Sequence, residues 1–340
     1  MSLASSRRSA YSPAERGSRR GGTGRATKDF VPYITTAGEV RRREHAERPS
    51  PSSVDSFQND VWSYWKKEGR HDLPWRQPSP RLRRGKKDFD PYKILVSEVM
   101  LQQTQVPRVI KKYKEFLHVF PNVESLARSK LSDVLKVWSG MGYNRRGKYL
   151  RDAAVTIVEK YGGKVPRDIV SLRSLPGIGP YTASAVLIFA FNIPDTLIET
   201  NVRSAYIHHF FAQKYKAQSL AKKISDRELL PCVEAAAEGQ DPRTWHWALM
   251  DYGSNLKKLH KNPSRASTHY VKQSKFEGSL RQARGAILRA LYKKPFTERT
   301  LSSELGVGSS ELGKFRTALA GLVRDGMITK VGRQWRIAEV

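Results

Sequence analysis

The sequence predicts a mainly α-helical protein organised around a helix-hairpin-helix element and followed by a small winged-helix-like unit. Three observations carry that reading. In residues 175–183 (LPGIGPYTA), two glycines two apart separate a short helical run from an apolar segment that resumes at helical spacing through Ala183, Val186, Leu187 and Ala190. Apolar residues recur at the same spacing in most segments between Phe57 and Met250. Beyond residue 279, three more apolar stripes precede Ile328, Val331, Trp335 and Ile337, which suggest a small hairpin turning near Gly332 and Arg333.

The 340 residues, enough for two domains, carry a formal net charge of +29. Such an excess favours a polyanionic partner, because each phosphate neutralised releases counterions. A ribosomal or membrane-surface protein shows the same balance, but no long amphipathic basic helix and no apolar run long enough to span a bilayer is present. Cys232 is the single cysteine, so neither a disulfide framework nor a four-thiolate metal site is possible within the chain. This fits a reducing cytoplasm, with the chain associated with the nucleoid. The N-terminus lacks an apolar signal core, and its Arg and Ser richness makes organelle import the alternative.

Taken in order, residues 1–53 are poor in apolar side chains and are predicted to be a disordered basic tail. A folded region follows over 54–256. Its first element is an amphipathic helix marked by Phe57, Val61, Trp62 and Trp65 and ending near Gly69; then come Leu73-Pro74-Trp75-Arg76 and a basic insertion over 81–87 (RLRRGKK). Such an insertion is a solvated loop, or contacts a sugar-phosphate backbone where it lies near the hairpin. Asp90-Pro91 reads as a cap and first residue of a helix carrying Ile94, Leu95, Glu98, Leu101 and Gln102 on one stripe. Helices over 106–120 and 131–138 follow. Gly140-Met141-Gly142-Tyr143 is a second glycine-spaced turn, opening a helix with Arg145, Arg146 and Lys148.

At the central hairpin, Gly177 and Gly179 are expected to adopt backbone conformations that side chains forbid, and Pro180 suits the first turn of the next helix. The hairpin amides and the new helix N-terminus then offer a place for a phosphate; a Gly-Pro turn joining two core helices fits the same pattern. Pro194 stops that helix, and Glu199-Thr200-Asn201 begin another. Trp245, Trp247, Leu249 and Met250 continue the helical core. A basic, turn-rich connector spans 257–278, and the C-terminal unit 279–340 places Lys314, Arg316 and Arg324 on or near its third helix, with Thr297 and Ser309 or Ser310 as caps.

Two carboxylates stand out. Glu98 sits inside an apolar stripe, where desolvation raises the pKa, as a general acid near neutral pH requires. A rim carboxylate paired with a nearby lysine fits the same spacing. Glu199 falls at a helix start, where unpaired amides and the helix dipole favour the anion, so the two are expected to shift in opposite directions. Such a pair suits cleavage of a glycosidic bond through a cationic sugar; alternatively Glu199 is a helix-capping anion and no more.

Residues 97–106 (SEVMLQQTQV), Leu73-Pro74-Trp75-Arg76, Gly140-Met141-Gly142-Tyr143 and Leu175-Pro176-Gly177-Ile178-Gly179 together resemble the MutY-type adenine DNA glycosylases of the helix-hairpin-helix superfamily, which also contains endonuclease III. The resemblance covers about residues 55–255. It implies a two-lobed helix-hairpin-helix DNA glycosylase fold with its active site between the lobes, removing adenine mispaired with 8-oxoguanine or guanine and leaving an abasic site. By this resemblance Glu98 protonates the leaving adenine, Glu199 stabilises the sugar cation, and Tyr181 and Asn201 support the site. Gln102 and Gln103 wedge into the duplex by the same resemblance, and the DNA contacts expected of this chain also take in Arg76, Tyr143, Gly177, Gly179, Lys257 and Lys258. The implied partner is mispaired double-stranded DNA, bound by a monomer away from any membrane. A monovalent cation at the hairpin is a further expectation.

The chain departs from the family pattern in three ways. Glu199 stands where the family usually has Asp, and a displacement of about 1 Å at a catalytic group can cost on the order of 100-fold in rate. The four cysteines that hold an iron-sulfur cluster in the family are missing, with Lys257 near the place of the first, so no cluster is expected, and Lys257, Lys258, Lys261 and Arg265 are expected to take over its DNA contact. The family's C-terminal domain that reads the oxidised guanine is replaced by the winged-helix-like unit. Tyr181 takes the place of the Schiff-base lysine of bifunctional relatives, which implies hydrolysis without an efficient lyase step. The alternatives are a same-fold glycosylase for uracil or thymine opposite G, against which Glu98 argues, and a catalytically silent DNA-binding protein.

Overall fold

In the computed structural model, the residues described are 48–78, 89–213, 223–273 and 275–339. The basic insertion over 81–87 and the tail up to residue 47 lie outside them. The folded chain begins slightly before the predicted boundary: α1 spans Pro51–Glu68, and Ser50 caps it by accepting from the Ser53 amide.

The remaining helices of the first region are α2 (Pro91–Leu101), α3 (Val106–Val119), α4 (Val123–Ala127), α5 (Leu131–Trp138), α6 (Arg145–Tyr161), α7 (Ile169–Ser174), α8 (Pro180–Phe191), α9 (Thr200–Phe210), α10 (Asp226–Ala237) and α11 (Pro242–Leu259). Helix α8 forms the centre. Every residue from Thr182 to Ala190 is buried, as expected of a helix apolar on all sides and wrapped by neighbours. It packs on α2 on one side and α7 on another, so the hairpin carries a core helix directly into the site. Its end is set by Asn192, which takes the left-handed conformation (φ 54°), two residues before Pro194.

Helices α1, α9, α10 and α11 form the second lobe. Phe57 of α1 joins them, its ring 4.9 Å from Tyr206 and 6.0 Å from Trp245 between centroids. The predicted connector is more ordered than its composition suggests. Its first residues, 257–259, extend α11; a 3₁₀ turn over Pro263–Ala266 packs against α9; and the Ile224 amide donates to Ala266 O at 2.8 Å.

The C-terminal unit comprises α12 (Leu280–Leu291), β1 (Phe296–Thr297), α13 (Glu298–Glu304), α14 (Leu312–Arg324), β2 (Ile328–Val331) and β3 (Gln334–Ile337). The wing is a two-residue hairpin at Gly332-Arg333, with Gly332 at φ 58° and Val331 facing Gln334. A third strand, β1, pairs antiparallel with β3, giving the order β1-β3-β2. Thr297 caps α13 by accepting from the Thr300 amide. Neither Ser309 nor Ser310 caps α14; they form a 3₁₀ turn over Ser309–Glu311 that runs into the helix. This unit has its own core, and Leu131 and Leu135 of α5 belong to it. Among the described residues, no helix is long and apolar enough to cross a membrane.

Candidate active site

Helix α2 brings in the first carboxylate. Asp90 caps it, accepting from Tyr92 N at 3.0 Å, and Pro91 fills its first turn. All residues from Ile94 to Met100 are buried, with Glu98 only 5% exposed. Burial pushes the Glu98 carboxyl up to about 8; the positive charge of Arg76 works against the shift and the negative charge of Glu199 adds to it. Glu98 is therefore a carboxylic acid, not an anion, at neutral pH.

Glu199 is the N-cap of α9, and its Oε1 accepts from the amides of Asn201 (2.7 Å) and Val202 (3.1 Å). The expected downward shift does not survive in three dimensions. Its pKa is raised, because desolvation outweighs the two amide hydrogen bonds and the nearby Lys257 charge. Capping acts on one oxygen of the group, whereas loss of water acts on the whole carboxylate. Both carboxylates are felt at the Tyr181 hydroxyl in the first turn of α8, where burial and the two like charges hold the phenol protonated. Residues as far as 101 positions apart in the sequence thus converge on one small region.

Asn201 and Lys257 complete this side. The Lys257 ammonium donates to Asn201 Oδ1 at 3.2 Å, and α11 reaches α9 this closely because residue 253 is glycine. A Cβ there would lie 1.9 Å from the Asn201 carbonyl oxygen. The residues do not fit an iron-sulfur cluster: a four-thiolate site needs three more cysteines than the chain has, and Cys232 is buried in α10 with its thiol pushed up to about 11. Lys257 instead faces the carboxylate site, while Lys258 is exposed beside it.

Arg76 corrects an expectation. It does not present itself to a DNA backbone; its side chain is 4% exposed and pairs bidentately with Asp251 of α11, at 2.8 and 3.0 Å. Its guanidinium lies 5.3 and 5.4 Å from the rings of Trp65 and Trp247. An arginine between two tryptophans is desolvated on both faces, which leaves its edge for a carboxylate. Asp251 also accepts from the Arg70 amide at 2.8 Å.

Gln102 follows α2 directly, and its Nε2 donates to Thr182 Oγ1 at 3.0 Å, next to Tyr181. Gln103 is exposed and held at φ 53°, a left-handed conformation that costs a non-glycine residue energy. Arg146, placed by sequence on α6 without a role, fastens this segment: it donates to the carbonyls of Val99 (2.9 Å), Met100 (3.1 Å) and Gln102, and to those of Met141 and Gly142 (both 3.2 Å). One signal was available, since the last turn of α2 has no basic residue of its own to meet its unpaired carbonyls.

Tyr143 is half-buried at φ 45°, and its hydroxyl accepts from Gln273 (2.7 Å) and Arg281 (2.6 Å), outside the first region. In the hairpin, Gly177 is at φ 73° and a Cβ there would lie 2.5 Å from Tyr149. Gly179 departs from expectation: at φ −82° it is ordinary extended backbone, with nothing within 4 Å of the place of a Cβ. The hairpin therefore requires glycine at Gly177 only, and open space adjoins Gly179.

Residues 96–238 match the HhH-GPD superfamily base excision DNA repair protein family. The chain is 41% identical over 139 residues to an adenine DNA glycosylase of Mycolicibacterium smegmatis, covering 41% of this chain and 44% of that protein. It is 32% identical over 198 residues to that of Buchnera aphidicola subsp. Baizongia pistaciae, covering 58% and 52% respectively. For the adenine DNA glycosylase of Mus musculus the identity is 39% over 152 residues, covering 44% and 29%. The matched segments span about half the length, or less, of these relatives. Among solved structures, a thermostable thymine-DNA glycosylase aligns over 60% of this chain and 87% of its own at 27% identity, with a TM-score of 0.49. With a helix-hairpin-helix at its centre, the chain carries a segment that matches the HhH-GPD superfamily of base excision DNA repair proteins and is similar in sequence to adenine DNA glycosylases.

Proposed function

We propose that the protein is a monofunctional DNA glycosylase that hydrolyses the N-glycosidic bond of adenine mispaired with 8-oxoguanine or guanine in double-stranded DNA, working as a monomer without an iron-sulfur cluster. The observation that carries this reading is the convergence of a protonated Glu98 and a helix-capping Glu199 on Tyr181. A base extruded from the duplex meets Glu98, which gives its proton to the purine as the bond to C1′ breaks. Positive charge develops on the sugar, and Glu199, held by two amides and faced by Lys257 through Asn201, supplies the opposing negative charge. Water adds at C1′ and gives up a proton to the carboxylate that Glu98 has become, and the products are free adenine and an abasic site.

Single-turnover cleavage of duplexes with adenine opposite 8-oxoguanine, guanine or thymine, and with uracil or thymine opposite guanine, tests this. Wild type is expected to release adenine opposite the two purines, Glu98→Gln to be inactive, and Glu199→Gln to be slower by on the order of 100-fold or more. Release of uracil or thymine instead, or of no base at all, overturns the reading. Borohydride is expected to trap no covalent adduct; a robust one would overturn the monofunctional reading.

A further inference from the structure

A cleft of about 800 Å³ is lined by the Gln102–Gln105 segment, and neither Glu98 nor Glu199 is in its lining. It is built jointly by three parts of the chain: the segments 102–108 and 139–146, the end of the connector at Gln273 and Phe276, and the C-terminal unit. Its lining holds six arginines and one acidic residue, Asp325, which pairs with Arg284 and lies 3.5 Å from Arg145. Arg108 and Arg289 have no acidic partner among the described residues. Three aromatic side chains, Tyr143, Phe276 and Tyr292, stand among the arginines, and Phe276 is 57% exposed.

The C-terminal unit contributes to this cleft through one face of α12. Arg281, Arg284, Gly285 and Arg289 of α12 line it, with Tyr292 just past the helix end, while Ile287, Leu288 and Leu291 fill the unit's own core. Neither α14, the third helix on which a helix-turn-helix reading would place DNA contacts, nor the wing lines it. Tyr143 is posted at the boundary by Arg281, whose guanidinium also lies 5.2 Å from its ring.

We infer that this cleft takes the DNA strand facing the adenine, with α12 of the C-terminal unit, and not α14, as its nucleic-acid-binding helix. Guanidinium groups provide bidentate donors for phosphate and for base acceptors, and aromatic rings between them provide stacking surfaces for unpaired bases. The Gln102–Gln105 segment is the partition: Gln102 bonds to Thr182 on the carboxylate side, and the same segment lines the cleft. A duplex straddling it lays one strand on each side. This rests on the proposed action on double-stranded DNA, but its test reads binding and not cleavage.

The test uses the full chain and a fluorescent duplex carrying adenine opposite 8-oxoguanine, the adenosine bearing a 2′-fluorine so that it is not cut. Anisotropy titrations over a range of salt compare wild type with Arg108→Ala/Arg289→Ala and with Lys314→Ala/Arg324→Ala. All four residues are exposed, so thermal midpoints are expected to stay put. The first pair is expected to weaken binding at least tenfold and to reduce the log-log salt slope by about 2, at about 0.9 for each phosphate left without its arginine. The α14 pair is expected to change neither. Unchanged affinity and slope in the first pair would mean that the cleft serves an acidic protein partner instead, and equal losses from the α14 pair would return recognition to the third helix; either overturns the inference. 5-Iodouracil in the strand facing the adenine is expected to cross-link to peptides containing Tyr143 or Phe276, and cross-linking from the adenine strand alone overturns the strand assignment. If the cleavage assay fails while these results hold, the catalytic reading is lost and the binding one stands.

Discussion

Glu98 keeps its proton because a carboxylate on a helix enclosed on all sides has no water to stabilise its charge, and Glu199 adds a like charge nearby. The rate of base release is therefore expected to hold at lower pH and fall as pH rises through about 8, where Glu98 loses its proton. The same shift acts on stability. An unfolded Glu titrates near 4.5 and the folded one near 8, so between those values the folded chain binds more protons, and Glu98 makes stability fall as pH rises. Glu98→Gln, which has no charge to desolvate, is expected to melt higher than wild type at pH 8 while cleaving nothing. A mutant that melts lower there would mean that the carboxylate is well paired. Arg76 gives the opposite case, a buried charge with its partner in place. Arg76→Ala leaves Asp251 buried with Arg70 as its remaining cation, and is expected to cost about 3 kcal/mol in urea unfolding. Its residual DNA affinity, measured on folded protein, is expected to keep the wild-type salt dependence, since this guanidinium does not reach a phosphate.

At the scale of elements, the sequence was informative wherever the cause of a feature is local. Asp90 before Pro91, the hairpin over 175–183, the second turn at 140–143 and the wing at Gly332 are set by neighbours a few residues away, and the structure has each of them. Long-range causes were not legible. Nothing near Arg76 in the chain announces Asp251, 175 positions on; the direction of the Glu199 shift depends on burial in the folded chain, which outweighs its own cap. Gly253 belongs to the same class. In sequence it is a glycine inside a helix, and in the fold it is the point where α11 meets the backbone of α9 at Asn201. Gly253→Ala must push the helices apart, because the obstacle is a carbonyl and not a flexible side chain. A loss of at least 1–3 kcal/mol in stability is expected from overpacking alone. The same displacement moves Asn201 and Glu199, so single-turnover cleavage is expected to drop on the order of 100-fold in the fraction that remains folded. Unchanged cleavage would mean that the site tolerates movement of α9.

At the scale of the whole molecule, α5 decides whether the C-terminal unit is an appendage or a part of the body. The helix is short, Leu131–Trp138, yet it is buried on two faces. Val134 and Trp138 belong to the core of the first region, whereas Leu131 and Leu135, both fully buried, belong to that of the C-terminal unit. The polar contacts across the same boundary, Tyr143 with Arg281 and Arg145 with Asp325, act in the same sense. A helix shared by two cores makes their unfolding one event, because opening either uncovers apolar surface of the other. Calorimetry of the full chain is accordingly expected to show one cooperative transition. Leu135→Ala removes a buried side chain from the C-terminal core, at a cost of about 2–5 kcal/mol, and is expected to lower that single transition as a whole. Had the unit been tethered and not built in, wild type would show two transitions and this substitution would move one of them. The distinction bears on the cleft as well: a strand held between α12 and the 139–146 turn needs walls that do not drift apart, and the shared leucines of α5 are what fixes them.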